Sequence, residues 1–180
     1  LALFRKVIAR NQEIVTVSPS CTMMMRDEYA HVLKVDNADV REHIILAERF
    51  IYEAITSTDV KLVWKEGFKA SAVYHCPCHQ ERMGWKIFTT ELLKMIPGLE
   101  LIPIKDNCCG IAGTYGFKKE NYSVSQATGK ELFDQIAAAK PEYVICECET
   151  CKWQIEMSTG YPVKNPVSIL AEALDLEATE

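Results

Sequence analysis

The residues of this chain best suited to chemistry are two adjacent cysteines before a glycine, Cys108-Cys109-Gly110. Two further cysteine stations flank them: Tyr74-His75-Cys76-Pro77-Cys78-His79 upstream and Cys146-Glu147-Cys148-Glu149-Thr150-Cys151 downstream. Consecutive side chains diverge, so neighbouring thiolates are hard to seat on one small ion. A cluster of several irons offers several metal corners, and a divergent pair can still reach it. Thiolates are soft ligands that favour iron–sulfur clusters or zinc. The pattern points to a bound redox cluster before it points to an active-site nucleophile.

The three stations supply five candidate ligands: Cys78, Cys108, Cys109, Cys148 and Cys151. Helices are expected to begin near Cys78 and Cys151, where the positive end of the helix dipole lowers the cost of an anionic sulfur. Cys76 and Cys146 each precede a candidate ligand by two residues, so in extended chain they face the same side. They are alternative ligands or, as is commoner for a free cysteine in a strand, small buried hydrophobes. Cys21 is a lone ligand or an inert thiol. His75 and His79 flank the first station, and a hydrogen-bonded structural role is favoured for both over ligation. Trp85 and Trp153 follow their stations and are expected to shield the site from water. Lys118, Lys119, Lys152 and Arg82 read as a solvated face before they read as charge compensation.

These stations need elements to position them. Strands are expected over residues 70–75, 99–104 and 143–146, and helices over 22–33, 78–96, 119–139, from about 150, and 166–176. Asp36-Asn37 is read as the cap of a further helix, with Val40, Ile44, Ala47, Ile51 and Ile55 at helical spacing. The alternation of strand and helix predicts an α/β fold, a Rossmann-like layered repeat with a mainly parallel sheet. Each cysteine station falls just after a strand. In such sheets the carboxyl ends of the strands lie along one edge, where sites form, so distant cysteines are expected to converge there. Residues 3–21 (LFRKVIARNQEIVTVSPSC) are similar to residues 132–151 (LFDQIAAAKPEYVICECETC), which sets Cys21 on Cys151 and Ser18 on Cys148. The expected organisation is the tail of a truncated first repeat over 1–35, a connecting helix and linker over 36–69, and a complete second repeat over 70–180.

Composition narrows the classes. With 48% apolar and 25% charged residues, the chain can build a globular core. A formal net charge of -5 without a Lys/Arg run argues against a nucleic-acid partner. No apolar stretch approaches the roughly 18 residues of a membrane span, and the first residues lack a signal-peptide pattern. Eight cysteines also allow a disulfide framework, but such domains are small and loop-rich, and the long periodic segments here favour a reducing cytoplasm.

Taken together, YHCPCHQERMGW, CCGIAGTYGFKKENY and CETCKWQIEMST resemble the cysteine-rich CCG-domain family, and SPSCTMMMRDEYAHVLKVDN extends the resemblance over almost the whole chain. This family includes heterodisulfide reductase B-type subunits and iron–sulfur subunits of glycolate and lactate oxidases. The match is strongest to its branch in bacterial anaerobic glycerol-3-phosphate dehydrogenases. The resemblance implies two CCG repeats behind a ferredoxin-like domain, with Cys78, Cys108, Cys109, Cys148 and Cys151 holding a 4Fe–4S cluster of the noncubane type. It implies an electron-transfer subunit that passes electrons from a flavin-containing subunit, which oxidises sn-glycerol 3-phosphate, toward membrane menaquinone. A further dehydrogenase subunit and a place in the cytoplasm, or peripheral on the cytoplasmic face of the inner membrane, are implied with it.

Two other readings stand beside this one. A thiol/disulfide redox catalyst, like heterodisulfide reductase, would need an open pocket beside Cys108-Cys109. A zinc-stabilised interaction module would use four thiolates in a tetrahedral site, leaving the fifth without a role.

Overall fold

A computed structural model describes residues 1–179. The chain runs α1 (Ala2–Ile8), β1 (Ile14–Thr16), α2 (Pro19–Met23), a π-helical turn (Met24–Glu28), α3 (Tyr29–His31), a 3-10 turn (Arg41–His43), β2 (Ile44–Leu46) and α4 (Ala47–Ser57). It continues with β3 (Ala70–Tyr74), α5 (Cys78–Arg82), α6 (Lys86–Lys94), β4 (Leu99–Ile102), a 3-10 turn (Lys119–Asn121), α7 (Tyr122–Ala139), β5 (Tyr143–Ile145), α8 (Glu149–Thr159), β6 (Val163–Lys164) and α9 (Pro166–Ala173).

Four strands form one sheet in the order β4-β3-β5-β6, and every pairing in it is parallel. Alternate side chains of β3 and β5 divide between two apolar layers. Val73 and Val144 pack with Leu132, Ile136 and Ile155 from α7 and α8 on one face. Ala70, Ala72, Tyr143 and Ile145 pack with Leu93, Ile169 and Leu170 from α6 and α9 on the other. The result is the α/β class with a parallel sheet that the sequence predicts. The chain leaves β3 toward one face and β5 toward the other, and these two strands are neighbours. A crevice must open at their carboxyl ends, and two of the three cysteine stations begin there.

A second, two-stranded parallel sheet pairs Ile14, Val15 and Thr16 of β1 with Ile44, Ile45 and Leu46 of β2. This corrects the helix expected from Asp36-Asn37 onward. Only Ala47–Ser57 is α-helical, and the three residues before it are a strand. All three are buried. A short, fully buried, apolar run satisfies either period, and pairing with β1 decides the matter. The single helix expected over 78–96 is two helices, because Gly84 at φ +73 ends the first and Trp85 starts the second. Trp85 is held between the guanidinium groups of Arg26 and Arg49, each 4.9 Å from the ring, and packs on Ile45 and Leu46. It joins β2 of the N-terminal segment to Met83 and Phe88 and does not line the cysteine cavity. Trp153 is 54% exposed and meets Phe117 edge-on.

The segment before β3 is tied to the end of the chain by a bridge between Trp64 and Leu174, with Lys65 N donating to Ala173 O and Asp175 N to Val63 O. No helix among the described residues is long and apolar enough to cross a membrane.

Candidate metal centre

All five candidate ligands line one cavity of about 140 Å³ at the carboxyl ends of β3 and β5. They arrive by three local devices. Cys78 is the first residue of α5, behind Pro77 in extended conformation. Cys148 is the N-cap of α8 and Cys151 its third residue, so the Cys-x-x-Cys turn sets both at the helix start on the cavity wall. Cys108 and Cys109 come from the long loop between β4 and α7, which crosses above the sheet edge. Cys109, Cys148 and Cys151 are buried, Cys108 is half-buried, and Cys78 is exposed.

The sulfurs touch one another. Cys109 Sγ lies 3.3 Å from Cys151 Sγ. The Gly110 N–H donates to Cys108 Sγ at 3.3 Å, and the Thr150 hydroxyl lies 3.2 Å from Cys148 Sγ. Hydrogen bonds from Cys109 and Cys78 hold the Cys108 thiol well below its usual range. Cys148 falls to about 5, first through its hydrogen bond with Cys151 and then through Thr150. Cys78 and Cys109 are pushed up, chiefly because they keep the protons they donate to Cys108. Two anions form readily in this pocket, and the remaining thiols resist ionising beside them. A cation or cationic cluster removes that conflict. The donor set is entirely soft sulfur and one member too large for tetrahedral zinc, so it fits an iron–sulfur cluster. All eight cysteines are free thiols.

The other sequence candidates separate cleanly. Cys76 and Cys146 are buried and absent from the cavity wall. Burial raises Cys76 to about 12 and Cys146 to about 11, so both stay protonated. Cys21 is exposed on α2 and does not reach the cavity, but its neighbour Ser20 does. Ser18 is the N-cap of α2, with Cys21 as that helix's third residue. This repeats the local placement of Cys148 and Cys151 in α8. His79 faces the cavity and its Nδ1 pairs with Ser20 Oγ at 2.8 Å. That contact carries the N-terminal segment to the rim, and nothing in the spacing of Ser20 announced it. The hydrogen bond expected for the His75 ring is missing at Nε2, which is buried without a partner among the described residues.

Beneath the site a polar chain locks two stations together. Glu147 accepts hydrogen bonds at Oε1 from Tyr74 (2.9 Å) and Thr89 (2.7 Å), and Gln80 Nε2 donates to Thr89 Oγ1 at 2.8 Å. Gln80 sits on the helix of Cys78, and Glu147 lies between Cys146 and Cys148. Glu48, at the start of α4, is buried nearby with both carboxylate oxygens unpartnered among the described residues. Burial first, then the Glu147 charge, raises Glu48 to about 8 from 4.5. The fold therefore favours its acid form, whereas the unfolded chain ionises it near 4.5. This contribution is neutral below 4.5 and costs stability increasingly as pH rises toward 8. Glu48→Gln removes the cost. Urea unfolding is expected to show the variant more stable than the parent at pH 9 by on the order of a few kcal/mol, with the gap shrinking toward pH 5. A constant gap would contradict the assignment.

The CCG family model, described as Cysteine-rich domain, matches residues 72–156. The chain is 50% identical over 161 residues to one of the subunits of the anaerobic glycerol-3-phosphate dehydrogenase of Escherichia coli, covering 89% of this chain and 40% of that protein. It is 33% identical over 175 residues to "Lactate utilization protein A" of an Exiguobacterium species, covering 90% of this chain and 67% of that protein. A protein of the same name from Oceanobacillus iheyensis is 30% identical over 149 residues, with 78% of this chain and 58% of that protein aligned. The chain thus spans 40% of the length of its Escherichia coli relative.

Proposed function

Because the chain belongs to the cysteine-rich CCG-domain family, we propose that it binds a 4Fe–4S cluster through Cys78, Cys108, Cys109, Cys148 and Cys151 and serves as an electron-transfer subunit. The observation that carries this reading is the convergence of five cysteines from three separate segments on one cavity of about 140 Å³. Five thiolates on four irons suit the noncubane arrangement. Zinc would leave one of them without a role.

When bound, such a cluster supplies reversible one-electron chemistry at the rim of the sheet. The protein's own contribution is to hold and tune. The dipole of α8 and the Gly110 N–H stabilise negative sulfur at Cys148 and Cys108. Ile111 presents an apolar wall to the cavity, limiting water beside it. The exposed Cys78 sets the redox centre at the surface, where a partner protein can approach.

The name of the Escherichia coli relative supports a link to glycerol-3-phosphate oxidation and to partner subunits. We take the chain to accept electrons from a flavin subunit that oxidises sn-glycerol 3-phosphate and to pass them toward membrane menaquinone, together with a further dehydrogenase subunit. Membrane contact would be peripheral, on the cytoplasmic face. The matched placement of Ser18 and Cys21 with Cys148 and Cys151 supports the division into a first-repeat tail over 1–35, a connection over 36–69 and a second repeat over 70–180.

Anaerobic reconstitution tests the cofactor. About four irons and about four sulfides per chain are expected, with an EPR signal on redox titration. One zinc per chain with no iron would replace the cluster by a structural metal. Turnover of a small disulfide by the loaded chain, without reduction by a flavoprotein, would replace electron transfer by thiol/disulfide catalysis.

A further inference from the structure

The cavity has a second layer behind its sulfur wall. His75 follows β3 directly, and its backbone N–H continues the ladder by donating to Ile145 O at 2.9 Å. This fixes the residue between the exits of β3 and β5, under the cysteines. Its side chain is 2% exposed. One imidazole nitrogen and the sulfurs of Cys146 and Cys151 all lie within 4.8 Å of one another. His75 is not part of the cavity wall, whereas Cys151 is. A fully buried imidazole nitrogen without a partner costs stability, so its retention calls for an acceptor present in the working protein.

We propose that His75 is a positioning residue that donates an Nε2–H hydrogen bond to the Cys151 sulfur when that sulfur is a cluster ligand, and thereby raises the reduction potential of the centre. The inference rests on the cluster reading given above. The ring is 2% exposed and its Nε2 has no partner among the described residues, an environment that accommodates the neutral imidazole with its single N–H. Cys151 is the partner of choice because its sulfur belongs to the cavity wall, whereas Cys146 lies behind that wall and is not among the candidate ligands. A donor aimed at a ligand sulfur stabilises the more negative, reduced state. Ligation by His75 itself is disfavoured because the sulfur layer stands between the ring and the cavity.

The test compares His75→Leu and His75→Gln with the parent, each reconstituted anaerobically. Iron content is measured first and the midpoint potential second, by redox titration followed by EPR. Full iron in both variants is expected, with a more negative potential in His75→Leu and substantial recovery in His75→Gln, which restores an N–H donor. Should His75→Leu lose iron, pulsed EPR on the parent labelled with ¹⁵N-histidine decides instead. A weak nitrogen coupling, as through a hydrogen bond, supports the proposal. A strong coupling identifies His75 as a ligand and overturns it, as does the absence of coupling. Full iron with an unchanged potential overturns the hydrogen bond and leaves the cluster reading intact. A parent chain that takes up no iron overturns both.

Discussion

Cys151→Ser and Cys109→Ser each leave the reconstituted chain essentially without iron, whereas Cys76→Ala retains it. The two sulfurs are 3.3 Å apart at the buried end of the cavity, and each replacement puts a harder oxygen where a soft ligand is needed. The loss should exceed the roughly 10–100-fold weakening that follows removal of a group lying behind a ligand. Cys76 is as buried as Cys109, so burial cannot explain the contrast. What separates them is position: Cys109 is on the cavity wall and Cys76 is behind it. Losing Cys76 costs packing, roughly 1 kcal/mol for a small buried side chain, and no ligand. Iron and sulfide assays on the three variants with visible absorbance settle it. Equal losses across all three would mean that the ligand set is wrong.

The sheet, and the convergence of the five candidate cysteines on one cavity, were legible for one physical reason. In a parallel sheet, every strand exit reaches the same edge, so a cysteine placed just past a strand is placed at the site whatever its distance in sequence. Reading strands 70–75 and 143–146 was enough to bring Cys78 to Cys148 and Cys151. The same periodicity misled over Ile44, Ile45 and Leu46. Three consecutive buried apolar residues fit the inner face of a helix and the middle of a strand equally well, and the deciding partner, β1, lies 30 residues earlier. Trp85 was misjudged because its neighbours in sequence are the cysteine station, while its neighbours in space are Arg26 and Arg49. His75 and Ser20 illustrate a related gap. A residue type reveals what a side chain can do, but an unpartnered nitrogen or a hydrogen bond to His79 exists only once distant segments pack.

The glycine of Cys108-Cys109-Gly110 should prove as necessary as its cysteines. Gly110 has φ +85, and a Cβ there would stand 2.0 Å from Ser125 O and 2.9 Å from Gly129 N. Both atoms are backbone of α7, so no rotamer can relieve the overlap. The helix cannot retreat easily, since Leu132 and Ile136 are wholly buried in the core and Gln154 Nε2 donates to Ser125 Oγ at 2.9 Å. The loop must move instead, and it carries Cys108 and Cys109 with it. Gly110→Ala is therefore expected to cost about 3 kcal/mol or more, since the left-handed backbone accounts for about 1–2 and the collision for the rest. In a domain of this size that lowers Tm by roughly 6–12 °C. Iron should be lost with all eight cysteines still in place. Gly113 provides the contrast: its φ is +62 but a Cβ there meets nothing within 4 Å. Gly113→Ala should cost only the backbone contribution and keep the iron. Thermal unfolding and iron content of the two variants separate a collision at the loop from mere stiffening of it. If Gly110→Ala behaves like Gly113→Ala, the close approach of the cysteine loop to α7 is not what positions the sulfurs.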